Sequence, residues 1–366
     1  MDSIIKNVVS SAQSEKERVM TKEDEELLAI LKQHMARIKV VGVGGGGNNT
    51  LDRISEIGVE GAVMIAVNTD AQDLIGTKAD RKILIGKQLS RGLGAGAVPK
   101  IGEEAAREQE QELKEALKDS DMVFITCGMG GGTGTGAAPV VAEIAKKSGA
   151  LVVGVVTVPF AMEGSRRYAN AMSGLDKMEQ FVDTLIVIPN EKLLQVAPNL
   201  PLHTAFKLAD EILTNAVKGI TELVTKNGLI NLDFADIKTV MTDGGIAMIG
   251  LGESDSENRA EESVERALNN PLLDVDLKNA TGALVNVTGG PDMTLEDARK
   301  IVGKVAAILD EDAKMIWGAQ VMDDLNKVIK TMVIVTGVKS DQIKGRSKAE
   351  KRAEGLDAEL GLEFIK

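Results

Sequence analysis

The stretch that decides the fold runs from Ile38 to Asn49 and reads IKVVGVGGGGNN. Its apolar half predicts a buried strand, and its glycine run predicts a tight turn that leads into a helix over 50–57. A second predicted strand over 63–67 completes a strand–loop–helix–strand unit. The spacing Gly42-x-Gly44-x-x-Gly47, with Asp70 after the second strand, matches a dinucleotide-binding fingerprint. Taken alone, this pattern indicates an NAD-type oxidoreductase whose acid binds a ribose hydroxyl.

A second glycine cluster changes that interpretation. Residues 128–136 read GMGGGTGTG and again join a predicted strand to the start of a helix. Glycines leave backbone amides free to converge on an anion, and the helix dipole adds positive potential. The hydroxyls of Thr133 and Thr135 are further donors. Two phosphate cradles in one sheet favour a nucleoside di- or triphosphate, and a third segment, RGLGAGA at 91–97, can deliver amides to a terminal phosphate.

Motifs and composition exclude several classes of protein. The chain contains neither Gly-x-x-x-x-Gly-Lys-Ser/Thr nor Asn-Lys-x-Asp, which excludes a P-loop nucleotidase and a Ras-like guanine pocket. The single cysteine excludes a cysteine-cluster metal site, and the two histidines nearly exclude a multi-histidine one. A net charge of -12 and 2% aromatic residues argue against nucleic acid as a partner. No apolar run is long enough for direct membrane insertion, and no secretory signal is evident, so we expect a cytoplasmic protein.

The order of predicted elements indicates an α/β fold with a doubly wound, mostly parallel sheet. The predicted strands are 38–43, 63–67, 83–85, 122–127, 151–158 and 185–188, and the predicted helices are 21–36, 50–57, 102–118 and 139–147. Apolar residues at helical spacing predict a long central helix over 203–226. Strands at 246–251, 283–287, 314–316 and 328–335, with helices at 260–268 and 295–309, predict a second, smaller α/β domain with a four-stranded sheet.

Residues 130–136, GGGTGTG, resemble the signature loop of the tubulin/FtsZ superfamily, and the similarity is closest to its archaeal cell-division branch. The resemblance extends over about 38–338 and includes several motifs in the family's order. It implies a GTPase with GTP or GDP and Mg²⁺ as ligands. On this basis we divide the chain into an N-terminal extension and helix (1–37), a GTP-binding domain (38–202), the central helix (203–227), a catalytic loop with the C-terminal domain (228–338) and a flexible tail with a terminal peptide (339–366).

The resemblance assigns the phosphate-binding residues to four loops. The α- and β-phosphates would be held by Gly44, Gly45, Gly46, Gly47, Asn48 and Asn49. The second loop would contribute Gly130, Gly131, Gly132, Thr133, Gly134, Thr135 and Gly136, and the γ-phosphate would meet Gly94, Ala95, Gly96 and Ala97. In Asn68-Thr69-Asp70, Asn68 would touch phosphate, and Asp70 would place the metal, magnesium, through water.

A second group of residues would bind the nucleoside. The resemblance implies that Glu163 and Arg167 contact ribose and phosphate, that Asn190 and Asp210 bond the guanine edge, and that Phe206 stacks on the ring. A carboxylate can accept from guanine N1 and N2 together, and adenine cannot reciprocate. From spacing alone, Glu163 and Arg167 also fit a helical surface ion pair. By the same criterion, Phe206 also fits a core aromatic on the long helix.

The candidate catalytic segment is NGLINLDFAD at 227–236. Asn231 can cap a helix whose first turn carries Asp233 and Asp236 on one face. These acids either compensate the helix dipole or orient and polarise the attacking water. At about 1.5 Å per helical residue, the long helix separates them from Asp210 by well over about 20 Å. They therefore could serve only a neighbouring subunit stacked head-to-tail, as in the protofilaments of the family.

The implied partners follow from the same resemblance. The chain would associate with itself in a head-to-tail filament at the mid-cell division site. The apolar-acidic peptide LGLEFI at 360–365 resembles the short partner-binding peptide of the family, so a membrane-tethering adaptor would bind there. A frayed hydrophobic end is the alternative for this peptide. Two other functions stay open: a tubulin-like GTPase with a cell-shape role, and the NAD-type oxidoreductase.

Overall fold

The glycine-rich stretches join strands to helices in one α/β structure, obtained as a computed structural model. It describes residues 36–59, 61–196, 201–225, 229–230, 232–273, 277 and 280–338. Apart from residue 36, the helix predicted over 21–36 lies outside the described residues. The cap residue Asn231 and the terminal peptide also lie outside them.

Ten strands form one sheet across the described part of the chain. Their bounds are β1 Ile38–Val43, β2 Ala62–Asn68, β3 Arg81–Leu84, β4 Met122–Gly128, β5 Leu151–Val158, β6 Thr184–Pro189, β7 Gly245–Ser254, β8 Gly282–Gly289, β9 Lys314–Val321 and β10 Ile329–Thr336. The strand order is β3-β2-β1-β4-β5-β6-β7-β10-β8-β9. All neighbouring strands are parallel except β10, which is antiparallel to both β7 and β8. The predicted doubly wound, mostly parallel sheet is confirmed.

Eleven α-helices lie in the described ranges. They are α1 Gly44–Ile57, α2 Ala71–Gly76, α3 Pro99–Glu108, α4 Glu110–Leu117, α5 Thr133–Lys147, α6 Ser165–Met178, α7 Asn190–Val196, α8 Leu202–Thr225, α9 Phe234–Met241, α10 Arg259–Leu268 and α11 Leu295–Ala306. Short 3-10 helices cover Ala161–Glu163 and Pro271–Leu273.

The four strands of the smaller half continue the same sheet. β6 pairs with β7 from Thr184 opposite Gly245 to Ile186 opposite Ala247, and β10, β8 and β9 follow outward. The long helix α8 packs on α1, and at Gly219 it comes so close to Met332 of β10 that a methyl group would collide. α8 therefore touches both halves. The division of the chain into separate domains stays a prediction.

The core surrounds the central strands, because helices cover both faces of a parallel sheet. Every residue of β5 is buried, and so is all of β4 except its last residue. Consequently the loops at the carboxyl ends of these strands extend directly from the buried core. Among the described residues, no helix combines the length and apolarity that a membrane span requires.

Three predicted helices differ most from the structure in their boundaries. The helix predicted to begin at residue 50 begins at Gly44, so the glycine run forms its first turn. The helix predicted over 102–118 is two helices, α3 and α4, which meet at Gln109, and the side chain of Gln109 accepts a hydrogen bond from the Gly86 amide. The helix predicted from residue 139 begins at Thr133 and contains Pro139. At Gly47 and Gly136 a Cβ would collide with backbone oxygens of other segments, so close packing favours glycine in the first turns of α1 and α5.

Candidate active site

The first two glycine loops touch each other at the carboxyl edge of the sheet. β1 passes directly into α1 at Gly44, whose φ of +72° lies in the left-handed region that glycine tolerates best. A Cβ there would lie 2.9 Å from the backbone nitrogen of Gly134, and one at Gly46 would lie 3.1 Å from that of Gly128. The two loops therefore form one continuous wall.

The glycines of this wall divide into two groups by what surrounds them. At Gly47 a Cβ would collide with the carbonyl oxygen of Thr126 in β4, and at Gly136 it would collide with that of Pro99. These two glycines permit close packing of a helix. At Gly45 and Gly131 nothing lies within 4 Å of a Cβ, so these two face open space. The second group leaves room for a ligand to approach the backbone.

A cleft of about 360 Å³ opens in front of this wall. The predicted nucleotide-binding residues that line it are Gly44, Gly45, Gly46, Asn49, Gly131, Gly132, Thr133, Gly134, Glu163, Arg167, Asn190, Phe206 and Asp210. Gly128 and Met129, which open the second glycine cluster, also line the cleft, and sequence reasoning missed Val43, Thr157, Pro159 and Ala209. Val43 ends β1 and Pro159 directly follows β5, and that position was the available signal for these two residues.

Other predicted residues lie outside the cleft wall: Gly47, Asn48, Asn68, Asp70, Gly94, Ala95, Gly96, Ala97, Gly130, Thr135 and Gly136. The two threonine hydroxyls expected to be ligand donors bond within the protein. The buried hydroxyl of Thr135 accepts from the Gly130 amide at 2.8 Å, and that of Thr133 lies 2.7 Å from the hydroxyl of Thr69. These bonds hold the second loop in shape and tie it to the end of β2.

The segment predicted to meet the γ-phosphate packs behind the second glycine loop. The Gly94 amide donates to the Thr69 carbonyl at 3.1 Å, and a Cβ at Gly132 would lie 2.8 Å from the Cβ of Ala95. Ala97 has a φ of +58°, which is uncommon for a residue other than glycine. Such a backbone persists only where its surroundings impose it. The segment is therefore held next to the cleft without lining it.

Asp70, the residue predicted to place magnesium, is the N-cap of α2. Its Oδ1 accepts from the amides of Gln72 at 2.9 Å and Asp73 at 3.2 Å, so Oδ2 stays available for water. Within the described ranges, no three His, Cys, Asp or Glu side chains are grouped to hold a metal ion. This arrangement fits Mg²⁺, which binds phosphates and water together with one or two carboxylates.

At the other side of the cleft, Phe206 and Asp210 project from α8. Phe206 is 40% exposed and meets the buried ring of Phe160 edge-on, which contradicts the core-aromatic alternative. Burial raises the pKa of Asp210 to about 6, and the Arg53 guanidinium opposes that rise. The Oδ1 atom of the buried Asn190 has no partner among the described residues. An aromatic face, a carboxylate and an amide thus surround one end of the cleft.

Glu163 and Arg167 fit both the ion pair expected from their spacing and the place in the nucleotide site that the resemblance implies. Their side chains form an ion pair, and both line the cleft. A second oxygen of Glu163 accepts from the Phe160 amide at 2.9 Å. The pair therefore closes the rim between the second glycine loop and the aromatic end.

The acids of the candidate catalytic segment lie near the opposite end of α8. Asp233, predicted in the first turn, is itself the N-cap of α9, because its carboxylate accepts from the Ala235 amide at 3.2 Å. Asp236 is exposed in that first turn. The segment is anchored by backbone pairing of Ile230 with Ala319 of β9.

The length of α8 sets the distance between the two sets of residues. From Asp210 to the last residue of α8, Thr225, the helix rises about 22 Å. Ala319, which pairs with Ile230, follows Gly318 in β9. A Cβ at Gly318 would lie 2.6 Å from the side chain of Leu223, which belongs to the last turns of α8. The cleft and the acids are therefore about the length of a helix apart within one chain.

Both the sequence and the fold match those of known proteins. The model for the Tubulin/FtsZ family, GTPase domain, matches residues 37–198, and the model for the FtsZ family, C-terminal domain, matches residues 245–339. The chain is 60% identical over 339 residues to Cell division protein FtsZ 1 of Methanocaldococcus jannaschii, covering 92% of this chain and 93% of that protein. It is 54% identical over 371 residues to Cell division protein FtsZ 1 of Archaeoglobus fulgidus, covering both chains completely.

A solved structure gives the same result. The chain is 62% identical to an empty FtsZ dimer from M. jannaschii, with a TM-score of 0.83, covering 87% of this chain and 93% of that one. The two matched family regions coincide with the half that carries the glycine loops and the half built from β7 to β10.

Proposed function

Because the chain belongs to the tubulin/FtsZ family of cell-division GTPases, we propose that it hydrolyses GTP at a head-to-tail contact between two copies of itself. Family membership makes it a GTPase that binds GTP and GDP. The observation that carries the proposal is the separation of the glycine-walled cleft from Asp233 and Asp236 by the length of α8. Within the described residues, the phosphate cradle and the two acids proposed to orient water lie at different ends of α8.

The cleft holds the nucleotide by its phosphates. The open glycines Gly45 and Gly131 let the backbone approach an anion, and the N-termini of α1 and α5 add positive potential there. Bound Mg²⁺ would supply further charge compensation at the phosphates, with Asp70 holding one of its waters through Oδ2. The Gly94–Ala97 segment supports the second loop from behind, and its contact with the terminal phosphate is what the family resemblance implies.

The aromatic end of the cleft selects guanine. Phe206 offers an exposed ring for stacking, and the Asp210 carboxylate can accept two hydrogen bonds from guanine N1 and N2. The unpartnered Asn190 Oδ1 is a further acceptor that a base donor can satisfy. Adenine has no donor at N1 or C2, so it would leave the Asp210 carboxylate unpaired.

Hydrolysis requires a neighbouring copy. Phosphoryl transfer needs an attacking water held in line and charge compensation on the γ-phosphate. One copy supplies compensation through its loops, and the next copy supplies Asp233 and Asp236 to orient the water. A contact between unlike ends does not close on itself, so repetition gives a filament. The solved relative described as an FtsZ dimer supports association between copies.

We further propose that the filament acts at the mid-cell division site and is tethered to membrane by an adaptor. The motivation is the apolar peptide at 360–365, which a charged stretch separates from the rest of the chain. A cell-shape role is the second candidate, but the curated relatives above are cell-division proteins. The NAD-type oxidoreductase is not supported, because the second glycine loop closes directly on the first.

Light scattering after nucleotide addition tests the proposal. GTP with Mg²⁺ should raise the scattering and release phosphate, whereas GDP, ATP and NAD should not. Equal affinity for ATP and GTP would contradict the assignment of Asp210 and Asn190. Phosphate release without any increase in scattering or sedimentation would contradict hydrolysis at a contact between copies.

A further inference from the structure

One carboxylate oxygen joins two buried asparagines from different loops. Asp73 Oδ2 accepts from the side-chain amide of Asn48 at 2.7 Å and from that of Asn68 at 2.6 Å. Asn48 lies in α1, within the first glycine loop, and Asn68 ends β2. Their exposed fractions are 1% and 3%, so neither amide has free access to water. Removing the shared acceptor would leave two buried donors unsatisfied.

The bonds to Asp73 fix which way both amides face. An ionised carboxylate only accepts, so each asparagine must turn its Nδ2 toward it. Asn68 then directs Oδ1 at the backbone, where it accepts from the Thr69 amide at 2.8 Å and the Asp70 amide at 3.3 Å. The Asp73 amide in turn donates to Asp70 Oδ1. The turn at Asp70 is therefore held by hydrogen bonds from Asn68 before it and from Asp73 after it.

The same bonds bear on the roles expected for the two asparagines. Asn48 and Asn68 do not line the cleft, and Asn48 Oδ1 is an acceptor, which cannot bond a phosphate oxygen. Both side chains therefore connect Asp73 to a loop. Asn48 connects it to the first glycine loop, and Asn68 connects it to the Asp70 loop.

We propose that Asp73 is a positioning residue that couples the first phosphate-binding loop to the Asp70 loop through Asn48 and Asn68. This inference rests on the proposed nucleotide site. Asp73 acts by accepting hydrogen bonds, so its geometry matters more than its charge. An asparagine at position 73 can present one oxygen to the same two donors, whereas an alanine cannot.

The test measures GDP binding by calorimetry, with and without Mg²⁺, in the full-length chain. Asp73→Ala should weaken GDP binding by about tenfold or more, which corresponds to about 1.4 kcal/mol. Asp73→Asn should restore most of that affinity. Asp52→Asn is the matched control, because Asp52 and Asp73 line one small surface cleft, and Asp52 accepts from the Lys78 amide, whereas the hydrogen bonds of the two asparagines go to Asp73. It should bind GDP like the wild type.

Two results would overturn the inference. Asp73→Ala binding GDP as tightly as the wild type would show that no coupling exists. If Asp73→Asn bound GDP as weakly as Asp73→Ala, the loss of GDP affinity would come from the missing charge. If Asp73→Ala unfolds at a lower temperature than the wild type, Asn48→Ala removes one of the same bonds from the other side and should also weaken GDP binding. A wild-type chain that binds neither GDP nor GTP would instead contradict the proposed function itself.

Discussion

Phe206 meets Phe160 edge-on, with ring centroids 5.2 Å apart and ring planes at 90°. Phe160 is 1% exposed and lies two residues after the end of β5, so it is a fixed support, while Phe206 leaves 40% of its surface exposed at the cleft. Edge-to-face contact is a favourable arrangement for aromatic pairs. It holds the outer ring in place and leaves surface of that ring for a base.

The first prediction concerns this exposed ring. Phe206→Leu should weaken GTP binding by about 1–3 kcal/mol, the range measured for base–aromatic stacking, and should leave the thermal midpoint nearly unchanged. Phe206→Tyr retains the aromatic face and should bind GTP like the wild type. Calorimetric titration of all three proteins checks this. Equal affinity for the leucine and tyrosine variants would mean that the base does not stack on this ring.

The second prediction concerns the pH dependence of GTP binding. Burial raises the pKa of Asp210 to about 6, and only the ionised carboxylate can accept two bonds from guanine. Because about one tenth of the group is ionised one unit below its pKa, affinity should fall about tenfold between pH 7 and pH 5. Asp210→Asn should lose this dependence and retain only that of the nucleotide phosphates. A wild-type profile parallel to that of the variant would contradict the role of Asp210.

The same shift affects the stability of the nucleotide-free protein. The native pKa lies above the ordinary value of 3.8, so the folded state binds the proton more tightly. The resulting stabilisation is complete below about pH 4 and is lost as the pH rises through about 6. At pH 7 Asp210→Asn should therefore raise the free energy of unfolding by about 1–3 kcal/mol while it weakens GTP binding. Denaturant titration at pH 4.5 and pH 7 measures the difference.

The third prediction separates glycines that face the ligand from glycines that permit packing. Gly47→Ala should cost about 1–3 kcal/mol of stability, because its methyl group meets backbone atoms of Thr126 and Gly42 that cannot move aside cheaply. Gly45→Asp should keep the thermal midpoint, since open space surrounds that position, yet abolish GTP binding by placing a negative charge in the phosphate cleft. Retained GTP binding by Gly45→Asp would place the phosphates elsewhere.

The fourth prediction concerns the terminal peptide. Deletion of residues 360–366 should leave GTP hydrolysis and filament formation intact and abolish recruitment of filaments to membranes by an adaptor. Sedimentation of filaments and imaging of the tagged protein in cells measure the two properties. Failure of the truncated chain to form filaments would assign the peptide to the contact between copies.

The parts of the site that are contiguous in sequence could be predicted without a structure. Both glycine clusters directly follow apolar runs, so their place at the carboxyl ends of β1 and β4 follows from the alternation of strands and helices. The close approach of the two loops at Gly44 and Gly134 is a tertiary contact. The sequence predicts that they share an edge of the sheet, but it does not predict the distance between them.

Helix α6 shows why other parts were missed. Its buried residues are Ala171, Gly174, Leu175 and Met178, so half of its buried face consists of small residues that carry little hydrophobic signal. Gly174 allows contact with Thr135 of α5, which is again a tertiary requirement. Asp73 was missed for the same reason: its partners Asn48 and Asn68 lie in two different elements, and no local spacing connects all three.

Mixing two inactive variants tests most directly whether hydrolysis is completed between copies. Asp236→Ala should bind GTP and lose about 10² or more in turnover, the scale for removal of one positioned catalytic group. Gly45→Asp keeps Asp233 and Asp236 but should not bind GTP in its own cleft. In a mixture shown by sedimentation to contain both variants in its filaments, contacts that join an intact cleft to an intact acidic segment should restore measurable phosphate release. Mixed filaments that stay as inactive as either variant alone, or wild-type turnover that stays constant on dilution to monomers, would contradict an active site shared between two chains.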